Sequence, residues 1–108
     1  MIKVEDKGTT SVVYIKGEFN AQAGLKIKDS IKECLEKKDI KKFIISFRDI
    51  IYINSSGIRE LIDLHKFLSN EHKELFLSEM SKEIRELFSF TYLDNVFKII
   101  EKIDEVLE

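Results

Sequence analysis

Short runs of strand formers alternate with segments of helical apolar spacing along almost the whole chain, and this alternation restricts the fold more than any single motif. Residues 2–6 and 11–17 are β-like runs separated by the turn-rich Lys7-Gly8-Thr9-Thr10. They predict two early strands, with Val13 and Ile15 on one face of the second. From Gln22 to Lys38 the chain carries Ile27, Ile31, Cys34 and Leu35 at i, i+4, i+7 and i+8, the stripe of an amphipathic helix. Phe43-Ile44-Ile45-Ser46-Phe47 reads as a buried strand, followed by a loop that begins at Arg48-Asp49. From Ser55 to about Asn70 the spacing is helical again, with Ile58, Leu61, Ile62, Leu64 or His65, and Leu68 inward and Glu60, Asp63 and Lys66 outward. Glu74-Leu75-Phe76-Leu77-Ser78 reads as another strand, and Ser81 as the cap of a helix that buries Ile84, Leu87 and Phe88. Val96 to Ile100 predicts a last edge strand, and Ile103, Val106 and Leu107 a last short amphipathic helix. The order is therefore β-β-α-β-α-β-α-β-α. Because parallel neighbours need helical crossovers, it predicts an α/β fold with a mixed four- to five-stranded sheet and helices packed on it.

Composition narrows the function classes. With no proline and only four glycines there is no linker, so residues 1–108 read as a single domain. A net charge of −2 lacks the broad positive field that phosphate-backbone binding needs, which argues against a nucleic-acid partner. The longest uninterrupted apolar runs, such as Ile50 to Ile53, are far short of the roughly 18 residues a membrane span takes, so no membrane insertion is expected. The first seven residues hold no apolar signal region, and a cytoplasmic location is expected. Cys34, the lone cysteine, suits a small core residue among Ile27, Ile31 and Leu35. It gives no metal-ligand spacing with His65 and His72, and no glycine-rich phosphate loop is present. Hence neither metal nor cofactor is expected. Mixed charge runs such as Glu36-Lys37-Lys38-Asp39 read as solvated helix faces.

Ile50-Ile51-Tyr52-Ile53 runs directly into Asn54-Ser55-Ser56-Gly57, so a hydroxyl pair is presented at a helix amino terminus. Asn54 is a favoured cap whose side-chain oxygen can accept from the N–H of Ser56 or Gly57. On the residues alone, ordinary capping explains this stretch better than a functional site does. A serine nucleophile would need a base within reach. His65 is nearly three turns along the same helix and His72 lies in the loop before a strand, so no enzyme and no catalytic residue are expected.

Three motifs in order resemble one family. Val12 to Asn20, ending Gly17-Glu18-Phe19-Asn20, is similar to a strand closing in Gly-Glu-Leu-Asp. Asn54-Ser55-Ser56-Gly57-Ile58 is similar to Asp-Ser-Ser-Gly-Leu. Leu87 to Phe97, with Tyr92-Leu93-Asp94-Asn95-Val96-Phe97, is similar to Thr-Gly-Leu-Asp-X-X-Phe. Together they resemble the STAS domain, and within it the anti-sigma factor antagonists switched by serine phosphorylation. The resemblance implies a regulator that binds a serine-kinase anti-sigma factor when unphosphorylated. It would be released on phosphorylation of Ser55, with Ser56 the alternative acceptor, and a metal-dependent serine phosphatase would restore it. Asn54 and Gly57 would cap the helix and shape the site. Arg59, one turn after Ser55, could meet a phosphate, and Asn20, Phe19 and Tyr52 are further candidate phosphate or partner contacts, with simple core open for Phe19, Ile50 and Tyr52. The chain is expected to be a monomer or weak dimer. Asn20, Asn54 and Ser46 stand where the family carries Asp, and Arg59 where a small residue is common. The Asp-to-Asn changes favour an alternative: a non-phosphorylated docking subunit of a signalling scaffold or of a lipid-transport ABC system.

Overall fold

The computed structural model describes residues 2–107. Its elements are β1 (Ile2–Lys7), β2 (Thr10–Phe19), α1 (Ala21–Lys37), β3 (Lys42–Ile53), α2 (Ser55–Asn70), β4 (Glu74–Ser78), α3 (Lys82–Phe90) and β5 (Lys98–Ile100), with short 3-10 turns at Leu93–Asn95 and Ile103–Glu105. The five strands lie side by side in chain order. β1 runs antiparallel to β2, and the other three pairs are parallel. Right-handed crossovers between parallel strands that advance in one direction place successive helices on one face, and residues of all three helices share one core with the strands.

The core fills the space between that face and the helices. Val13, Phe43, Ile45, Phe47 and Leu77 from the strands meet Ile27, Ile31, Leu61, Leu64, Leu68, Ile84 and Phe88 from the helices. The Phe47 ring stacks on Phe19 at 5.8 Å and meets Phe88 edge-on at 6.2 Å. Leu64, rather than His65, is the buried member of its stripe, while His65 packs its ring on Phe97 at 5.3 Å. Cys34 is half-buried against this core. The opposite face holds the buried Val12 and Ile44, and the end of the chain reaches across it: Lys42 Nζ donates to the Val106 carbonyl at 3.5 Å.

β3 departs from the sequence expectation. It does not end at Phe47 but runs to Ile53. Its pairing with β2 steps from Tyr14–Ser46 to Lys16–Asp49, and again from Gly17–Ile50 to Glu18–Tyr52. Each step is a bulge that adds one residue to β3. Buried positions therefore fall at Phe47, Ile50 and Ile53, three apart instead of two, and the alternation that marks a strand is lost. The end of the chain differs as well. β5 begins at Lys98, not Val96, because the turn at Leu93–Asn95 leads through exposed Val96 and buried Phe97. The expected last helix is only the turn Ile103–Glu105, closed by the Glu105 carboxylate, which accepts from the N–H groups of Glu101 at 2.9 Å and Lys102 at 2.8 Å.

Candidate functional site

β2 and β3 end together, with Phe19 opposite Ile53, and each passes through an Asn into a helix. Asn20 Oδ1 accepts from the Ala23 N–H at 3.0 Å, and Asn54 Oδ1 from the Gly57 N–H at 2.8 Å. The two caps are tied to one another, since the Asn54 N–H donates to the Phe19 carbonyl at 3.2 Å. Two glycines allow this close approach. A Cβ on Gly57 would sit 2.0 Å from the Phe19 carbonyl oxygen, and one on Gly24 would sit 2.4 Å from Glu60 Cβ. The amino termini of α1 and α2 therefore open side by side at one edge of the molecule.

Ser55 and Ser56 are the first two residues of α2, and both are exposed. The cap takes the Gly57 N–H, and the Ile58 N–H goes to the Asn54 carbonyl at 3.0 Å. The Ser55 and Ser56 amides stay at the open end, as at any helix start. Neither α1 nor α2 has an acidic residue in its first turn, so both dipoles present their positive ends uncompensated, a setting that favours an anion. Arg59 is exposed, and four residues along a helix its Cβ lies about 5–6 Å from that of Ser55. His65 does not come near Ser55: ten residues of helix separate them by about 15 Å. His72 lies exposed in the turn before β4 with a left-handed φ of 59°.

Of the alternatives open for Phe19 and Ile50, partner contact or simple core, the structure shows core. Phe19 is only 1% exposed and stacks on Phe47, and Ile50 is likewise buried, so neither offers its side chain to a partner. Asn20 uses its amide oxygen as the α1 cap, which leaves only its NH₂ group for a phosphate. Tyr52 is 45% exposed, beside Ile51 at 77%. The sequence reading missed Ile51, because the bulges that turn it outward cannot be seen in a run of four apolar residues. It also missed Glu79. At Ser46 the hydroxyl donates to Glu79 Oε1 at 2.7 Å, so a carboxylate still stands beside this strand position although Ser46 itself is neutral.

Among the described residues, no three His, Cys, Asp or Glu side chains come together as a metal site, and no helix is long and apolar enough to cross a membrane.

The STAS domain family matches residues 1–106. The chain is 26% identical over 102 residues to the anti-sigma-B factor antagonist of Listeria monocytogenes, covering 91% of this chain and 86% of that protein. Among solved structures, a putative anti-sigma factor antagonist from Thermotoga maritima superposes with a TM-score of 0.84 at 20% identity, over 96% of this chain and 89% of that one. The Bacillus cell fate determinant SpoIIAA in its phosphorylated form superposes with a TM-score of 0.71 at 19% identity, over 98% of this chain and 96% of that one. At these identities the two structural likenesses speak to the fold alone.

Proposed function

The chain belongs to the STAS domain family, and on that premise we propose that it is an anti-sigma factor antagonist that works by partner switching. In this reading the unphosphorylated chain binds a serine kinase that doubles as an anti-sigma factor. Phosphorylation of Ser55 by that kinase ends the complex, and a metal-dependent serine phosphatase regenerates the binding form. The observation that carries the reading is the presentation of Ser55: an exposed hydroxyl at the first position of α2, beside a second uncompensated helix terminus. The name of the Listeria relative supports the same role.

A phosphoserine brings about −1.5 to −2 charges at neutral pH. At this position it meets two helix dipoles, the Ser55 and Ser56 amides and the Arg59 guanidinium within reach. The fold therefore accepts it. Release arises at the interface, where exposed Ile51 and Tyr52 flank the serine and a partner covering them has to desolvate a dianion. Calorimetric titration of an anti-sigma serine kinase from the same cells tests this. Ser55→Ala should bind as the wild type does, and Ser55→Asp at least about tenfold more weakly, with unchanged circular dichroism. Equal binding of the two variants would instead support the constitutive docking subunit, the reading favoured by the neutral caps Asn20 and Asn54.

A further inference from the structure

On the sheet face opposite the helices, the first bulge of β3 builds a cleft. Consecutive side chains of a regular strand point to opposite faces, yet Arg48 and Asp49 both line this cleft. The extra residue between the pairs Tyr14–Ser46 and Lys16–Asp49 makes that possible, and bulges commonly re-aim side chains in this way beside binding sites. Lys3 and Glu5 from β1, with Tyr14, Ile15 and Lys16 from β2, complete the lining of a space of about 300 Å³. The Arg48 guanidinium lies over the Tyr14 ring, 5.6 Å from its centroid, so the two form a cation–π wall.

The charges of the cleft do not cancel. Glu5 pairs with Lys7 at 3.0 Å, and Asp49 faces Arg48 at 4.0 Å. Lys3 and Lys16 have no carboxylate partner among the described residues. Two unpaired cations thus stand at a cation–π wall on a chain whose net charge is −2. The volume is at the lower end of the range for small-molecule sites, about 300–1,000 Å³, which suits a single ring and not a macromolecular segment.

We propose that this cleft binds a small aromatic carboxylate, with its ring against the Tyr14–Arg48 wall and its carboxylate between Lys3 and Lys16. The site shares no residue with the Ser55 edge, so it stands or falls independently of the partner-switch reading. Amide chemical shifts followed in a benzoate titration at constant ionic strength test it, with acetate and inorganic phosphate as parallel arms. Benzoate should produce saturable shifts confined to residues 3–5, 14–16 and 48–49, and acetate and phosphate should bind at least about tenfold more weakly. Lys16→Gln, a change at an exposed position, should leave the spectrum folded and weaken benzoate by about tenfold, the effect of one charge-assisted contact. Shifts that fail to saturate, that spread over the lysines of α1, that are matched by acetate or phosphate, or that survive Lys16→Gln would overturn the proposal.

Discussion

The close seat of α2 on the end of β2 makes Gly57→Ala the most informative single substitution. Its new Cβ would lie 2.0 Å from the Phe19 carbonyl oxygen and 2.8 Å from the carbonyl carbon, both backbone atoms that cannot swing aside. Ordinary contact begins near 3.4 Å, so the helix start has to back away by more than an ångström. That movement breaks the Asn54 N–H to Phe19 carbonyl bond of 3.2 Å and strains the cap at Gly57. A lost hydrogen bond of about 1 kcal/mol, a weakened cap of about 1 kcal/mol and overpacking of about 1–3 kcal/mol together predict a loss of roughly 3–5 kcal/mol. In a domain of this size that lowers Tm by at least about 10 °C, read by circular dichroism at 222 nm. The matched control is Gly8→Ala, where the added Cβ meets nothing within 4 Å but φ is +64°. It should cost only the left-handed strain, about 1–2 kcal/mol. If Gly57→Ala melted at or above the Gly8→Ala temperature, the close packing of the two helix termini would be refuted.

Other substitutions follow from the same geometry. Tyr92 follows the carboxyl end of α3 with a left-handed φ of 60° and an exposed ring, so Tyr92→Gly should raise Tm by a few degrees as about 1 kcal/mol of strain is released; a lower Tm would contradict this. Ser46→Ala removes the donor at 2.7 Å from the Glu79 carboxylate and should destabilise by about 1–2 kcal/mol in urea titration. The Lys38 ammonium, with help from the Ser11 hydroxyl, holds the Asp6 carboxyl below its usual value against the opposing effect of burial. A carboxyl whose folded value is depressed contributes stability above its unfolded value, and that contribution is lost as pH falls through the folded one. Urea midpoints should therefore drop on acidification below about pH 4, and Lys38→Ala should flatten that drop; an unchanged acid limb in the variant would rule the pair out as its cause.

Much of the architecture was legible because periodicity and packing agree. The stripes of α1 and α2, the bounds of β4 and the Ser81 cap all lie where apolar spacing and cap chemistry place them. The second half of β3 was not legible, since two bulges change its inward spacing from two residues to three. These bulges set the facing of Arg48, Asp49 and Ile51, whereas Phe19, on β2, is buried by its stacking on Phe47. Phe19 and Ile50 turned out to be core, Ile51 turned outward, and Arg48 and Asp49, read as a loop, became neighbours in a cleft. The Asn54 cap on Gly57 was visible in sequence. The joining of the two caps through the Phe19 carbonyl was not, because it depends on the pairing of strands far apart along the chain.

The central claim is that a phosphate on Ser55 separates the chain from its kinase partner while the fold persists. Phosphosite mapping by tandem mass spectrometry, applied to the protein recovered from its own cells as free and kinase-bound fractions, tests this most directly. Phosphate on Ser55 is expected in the free fraction and an unmodified Ser55 in the bound one. Phosphate on Ser55 in the kinase-bound fraction, or none on Ser55 in either, would contradict it.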